Sequence, residues 1–109
     1  MVKVKPGMTE DYLRALRGSL RKMEDEAVRQ GLMVSYKILV GSSANDDDWD
    51  VLLMEEYQNL ASLDGIDDRM RPIQEKFVGD QDELRNVMIS RSEMRSIYGD
   101  KMMREIVFD

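Results

Sequence analysis

Polar side chains in segments that read as strands are where this chain has material for chemistry: Lys3, Lys5, Ser35, Tyr36, Lys37, Glu55, Glu56, Tyr57 and Arg104. Of these, Tyr36, Lys37, Glu55, Glu56 and Arg104 form the candidate pocket. A lysine or arginine there stabilises developing negative charge, a glutamate accepts a proton, and the group orients a small anionic or phenolic molecule. A plainer reading stands beside this one, because cross-strand Lys–Glu pairs occur at the wet ends of many sheets without any catalysis. No residue is assigned a catalytic role from its type and spacing.

Asn45-Asp46-Asp47-Asp48-Trp49-Asp50 places alternate aspartates where they could converge on a hard cation. A calcium loop of the EF-hand type starting at Asp46 needs glycine at its sixth position and glutamate at its twelfth, and the chain has Val51 and Tyr57 there. The stretch therefore reads as a solvated turn whose charges blunt a sheet edge, and no metal site is expected. Trp49 reads either as a stacking platform for a flat ligand or as a shield at the rim of an interface. The chain has neither cysteine nor histidine. Disulfides, thiolate nucleophiles, Cys-ligated zinc, the Ser-His-Asp triad and histidine-ligated haem are thereby excluded, and no cofactor is expected.

The elements that position these residues follow from periodicity. Val2-Lys3-Val4-Lys5 alternates as a strand and is ended by Pro6-Gly7. Thr9 is placed to cap a helix running to Gln30, with Leu13, Leu16, Leu20, Met23 and Ala27 as its buried stripe and Gly31 as its left-handed terminator. Leu32 to Val40 and Asp50 to Tyr57 read as strands joined by the polar loop Gly41–Asp48. From Asn59 to Tyr98 the pattern is helical but broken: a short piece at Leu60–Leu63, a stop at Gly65, a piece at Asp67–Val78 that Pro72 opens or kinks, and an acidic start at Asp80–Glu83 ahead of Leu84, Val87 and Met88. Met102 to Phe108 reads as the last strand, with Met102 and Met103 suited to interface packing.

The order β-α-β-β-α-β, with short connections, predicts an α+β fold: a ferredoxin-like sandwich with a four-stranded antiparallel sheet and helices on one face, occupying residues 1–109 as a single domain. Val51-Leu52-Leu53-Met54 is apolar on both parities, so the sheet needs a cover on each side. A two-layer domain covers only one, and a second copy of the chain is the simplest cover for the other, which predicts a homodimer.

Composition narrows the partners. Apolar residues make up 42% and charged residues 35%, enough for a core beneath a heavily solvated surface. The formal charge is −6, with basic residues interspersed among acids, so no nucleic acid or acidic membrane surface is expected to bind. The longest apolar run, Val51–Met54, is far below the roughly 18 to 20 residues that cross a bilayer. The absence of a basic-then-apolar leader predicts a cytoplasmic protein, or an exported one from which a signal peptide has been removed.

Val2-Lys3-Val4-Lys5-Pro6-Gly7-Met8, followed by an acidic helix start with Tyr12, resembles the first-strand signature of NIPSNAP-like members of the dimeric α/β-barrel superfamily. The likeness extends loosely through Gly31-Leu32 to Arg104-Glu105-Ile106-Val107, and its sharp part is the Lys-Pro-Gly segment. The resemblance implies a homodimer whose sheets pack face to face into a shared barrel. Related proteins include cofactor-free oxygenases, haem-degrading and chlorite-converting enzymes, lactone isomerases and proteins without known activity, so the fold alone fixes no chemistry. The haem branch is disfavoured by the missing histidine, and no catalytic residue carries over. Three expectations follow: a barrel protein holding at most a small organic ligand in or beside the barrel, a cofactor-independent monooxygenase or isomerase acting on a polyphenolic or lactone-like substrate, or a protein-interaction module.

Overall fold

The structure is a computed structural model covering residues 1–109. It is an α+β fold in which four helices and a short 3-10 turn accompany a four-stranded sheet. The strands are β1 (Val2–Val4), β2 (Ser35–Val40), β3 (Val51–Glu56) and β4 (Arg95–Ile97), in spatial order β2-β3-β1-β4 with every pairing antiparallel. That order is compatible with the ferredoxin-like sandwich, since β3 is inserted between β1 and β2, and β4 closes on the far side of β1.

The first helical region is two helices, α1 (Thr9–Gly18) and α2 (Leu20–Arg29), where the periodicity predicts one. The break falls at the Gly18-Ser19 pair, one of the recurrent settings for a sharp kink. Ser19 leaves helical geometry, and its hydroxyl donates to the Ala15 carbonyl at 3.1 Å. Thr9 begins α1 rather than capping it; Met8 holds the cap position and offers no side-chain bond. At the far end Gly31, at φ 77°, does terminate α2. Its N–H donates to Val28 and that of Leu32 to Ala27, a Schellman closure of the last turn.

Tyr12 and Leu16 from α1 pack on Val2, Val4 and Val51 to form one half of the core. Met23 and Ala27 from α2 meet Met33 and Ile73 in the other half. The buried stripe is thus rotated slightly from the expected one, with Tyr12 inside and Leu13 at the edge. Helix α3 (Ile66–Phe77) runs through Pro72 without interruption, after Gly65 in left-handed geometry. Helix α4 (Gln81–Ser92) is capped by Asp80, whose carboxylate accepts from the Glu83 N–H at 2.9 Å.

The last strand lies earlier than the sequence pattern suggests. Helix α4 ends at Ser92, and Val4↔Arg95, Lys3↔Ser96 and Val2↔Ile97 pair directly. Bonds from Lys5 N–H to Met94 O and from Tyr98 N–H to Met1 O extend the ladder, so the short β1 is already fully matched by the time the chain reaches Gly99. Residues 102–108 pair with no strand of this sheet and carry no regular structure.

Parity is settled by these packing contacts. Tyr36, Ile38, Leu53 and Glu55 face the helices, while Lys37, Leu39, Leu52, Met54 and Glu56 face away. The helix-free face is therefore apolar at its centre, with Leu39 and Met54 about half exposed. Asp50 holds the middle of the sheet, its N–H donating to Val2 O at 3.1 Å and its carboxylate accepting from the Val4 N–H at 3.0 Å. No helix is long and apolar enough to cross a membrane.

Candidate functional site

Helix α2 carries a carboxyl group into the protein interior. Glu24 is spaced four residues after Leu20 and three before Ala27, so it shares their face of the helix and is only 4% exposed. Its Oε2 is buried with no donor. The nearest ionisable partner is Glu55 at the end of β3, and burial, followed by the neighbouring Glu55 carboxylate, raises the Glu24 pKa from 4.5 to about 8. Glu24 therefore holds its proton at neutral pH, beside Glu55.

Two tyrosines stand near this carboxyl pair, of which Tyr57 lines the same cleft. Tyr57 donates its hydroxyl to Glu55 Oε2 at 2.5 Å, and Tyr36, directly across the sheet from Glu55, donates to Asp25 Oδ1 at 2.5 Å. Burial, and then the hydrogen bond to Asp25, push the Tyr36 hydroxyl up to about 12; burial and the bond to Glu55 push Tyr57 in the same direction. Both phenols are therefore donors, fixed in the neutral form.

Glu24, Glu55 and Tyr57 line a pocket of about 230 Å³. Its other walls are Leu20 and Met23 of α2, Met33, and Ile66, Asp67, Met70 and Gln74 of α3. It is a cleft half open to solvent, with a volume of the order of one ring and its substituents. Three methionines among the walls let the pocket adapt in shape.

Two residues away on α2, Glu26 shows that burial alone does not make such a site. It accepts two bonds from Arg29, at 2.5 and 2.6 Å, and one from Gln30 at 3.1 Å, and these donors lower its pKa to about 2. Glu26 is a paired carboxylate; Glu24 is an unpaired one.

The five expected pocket residues do not gather. Tyr36 and Glu55 are neighbours on the helix side, Lys37 and Glu56 lie on the opposite face, where Glu56 accepts from Ser35 at 2.8 Å, and Arg104 stands in the exposed segment after β4. Glu24, absent from that set, is the residue that pattern reading misses. Its signal was available, since a glutamate on the apolar face of an amphipathic helix marks an unusual burial.

Elsewhere, Arg14, Arg17, Arg21 and Lys22 edge an open concavity at the α1–α2 break, but Asp11 and Asp25 sit among them at 3.6 and 3.7 Å from Arg14 and Arg21. Arg91 is buried beside Tyr12, its Nε without an acceptor, and lines neither concavity. In the aspartate loop the Asp48 carboxylate accepts from the Ala44 N–H at 2.8 Å, and no three acidic groups converge. Asp47→Asn should accordingly change stability by only a few tenths of a kcal/mol, as at other exposed positions. A melting curve that moved substantially with added calcium would contradict this reading.

No protein family, curated protein or solved structure matches the chain.

Proposed function

We propose that this protein is a homodimeric α/β-barrel protein, akin to the NIPSNAP-like proteins it resembles, which binds a small organic molecule of about one ring in the pocket beside its sheet. The observation that carries this reading is the pairing of buried Glu24 with Glu55 in an otherwise largely apolar pocket. A neutral carboxyl next to an ionised one offers a donor and an acceptor side by side, which suits a carbonyl, lactone or phenol better than an anion.

The dimer is supported by the helix-free sheet face, where Leu39, Leu52 and Met54 form an apolar centre with no cover of its own. Light scattering at micromolar concentration should give twice the chain mass. A monomer would remove the barrel from this proposal and leave the pocket.

The same carboxyl pair favours a second reading, proton-transfer isomerisation without a cofactor. Glu55 would take a proton from carbon beside a carbonyl while Glu24 gives its proton to the carbonyl oxygen; returning the first proton to a different carbon and the second to Glu24 yields the isomer and restores both groups. Monooxygenation shares the first step, and oxygen uptake tells the two apart.

Binding is tested by methyl NMR of the methionines against a panel of monocyclic phenols and lactones. Signals of Met23, Met33 and Met70 should move and those of Met102 and Met103 should not, and Glu24→Leu should abolish the response. Because the neutral carboxyl is the donor, affinity for a lactone should fall as pH rises through about 8. Shifts confined to other methionines would contradict the assignment of the site.

A further inference from the structure

The side chains around the cleft include three carboxyl groups, Glu24, Glu55 and Asp67, and no lysine or arginine. None of the three acids forms an ion pair. Cations on the flanking helices are engaged elsewhere: Arg21 stands 3.7 Å from Asp25, and Arg29 and Lys76 act on Glu26. Glu24 is buried at the cleft wall with its Oε2 unpartnered. A buried carboxylate is stable only when paired, so the ionised form of Glu24 needs a positive charge that the chain itself does not place there.

Building on the one-ring cleft proposed above, and resting on that reading, we infer that its ligands include organic cations: a protonated amine on a single ring, with the ammonium seated between Glu24 and Glu55 and the ring against the methionines. An inorganic ion fits less well, because no three acidic groups converge and the remaining walls, Met23, Met33 and Met70 among them, are apolar. Tyr57 occupies Oε2 of Glu55, which leaves Oε1 for the ligand. An ammonium has three donors, enough to reach both carboxylates, and each such bond is charge-assisted.

Seating the cation turns the Glu24 carboxyl into a carboxylate, and its proton leaves to solvent. Glu24 is faced by Asp25 on its own helix, by Glu55 and Tyr57 from β3 and its end, by Tyr36 from β2 and by Asp67 from α3. With Glu24 protonated up to about pH 8, amine binding should strengthen about tenfold per unit as pH rises towards that value, the opposite slope from that of a lactone.

The test is calorimetric titration of the full chain with benzylamine and with benzyl alcohol, its neutral counterpart, in buffers of different ionisation enthalpy. At pH 8 the amine should bind about tenfold or more tightly than the alcohol, and at pH 7 it should release about one proton per ligand. Glu24→Gln should keep the alcohol and lose the advantage of the amine. Equal affinities, amine binding without proton release, or an amine advantage that survives Glu24→Gln would overturn the cation site and leave the one-ring cleft standing. So would a lactone that binds where neither probe does. Binding by none of the three would overturn the cation site together with the one-ring reading.

Discussion

Leu16→Ala should destabilise the protein by about 2 to 5 kcal/mol, the range for deleting most of a buried leucine. Leu16 is 1% exposed and is wedged between Tyr12 on its own helix and Val2, Val4 and Val51 on the two central strands. Strands do not move inward readily when their ladder is hydrogen-bonded, so the space left by the side chain stays largely open, and both the transfer and the cavity contributions are lost. Each kcal/mol shifts the melting midpoint of a domain this size by roughly 4 to 8 °C, which makes the effect easy to read in a thermal or urea melt. Leu13→Ala, at a half-buried position on the neighbouring face, should cost distinctly less. Equal losses at the two positions would mean that α1 is rotated from the orientation described.

Glu24→Gln should do the reverse and stabilise the protein at alkaline pH. The Glu24 pKa is about 8 in the folded protein and near its ordinary 4.5 when unfolded. Below 4.5 both states hold the proton and the residue is neutral to stability. Between 4.5 and about 8 the unfolded state ionises while the folded state does not, so folding loses free energy steadily as pH rises. The accumulated loss reaches a few kcal/mol at pH 8, and glutamine, which never ionises and can still donate to Glu55, removes it. Urea melts should show the variant gaining on the parent from pH 5 to pH 8 and matching it near pH 4.5. Glu26 acts with the opposite sign: its pKa of about 2 means that the stability supplied by Arg29 and Gln30 is present above 4.5 and lost as pH falls towards 2. A variant advantage that did not grow with pH would show Glu24 to be ionised in the fold.

How much of this was legible in the sequence depends on whether the determining interaction is local. Gly31 ends α2, Gly65 starts α3 and Asp80 caps α4 as their residue types predict, because backbone geometry and capping act over a few residues. The strand alternation of Val2–Val4 likewise survives, since it reflects the side that the helices cover, and Val51–Met54 lies in the expected strand with Met54 exposed on the helix-free face. What failed is set partly by pairing across the chain and partly by local detail, as at Ser19 and at Thr9, which begins α1 and does not cap it. Met102–Phe108 has the pattern of a strand, but Arg95–Ile97 reaches β1 first and uses its bonds. The kink at Ser19 comes from one hydroxyl turned back onto Ala15, which periodicity does not register. The candidate site was legible in part: Tyr36 and Glu55 are neighbours, whereas Lys37 and Glu56 fall one residue further along each strand and so on the other face. Glu24 escaped because it belongs to a helix, and attention to polar strand residues passes over it.

The chemistry of the cleft turns on the protonation of one side chain. A carbon-13 NMR titration of the glutamate side-chain carboxyls, with Glu24 assigned by comparison with Glu24→Gln, reads it directly. A Glu24 transition centred near pH 8 is the predicted result. A transition in the ordinary range near 4.5 would mean two independent carboxylates, and the pocket would lose the donor on which the proposed ligand and chemistry depend.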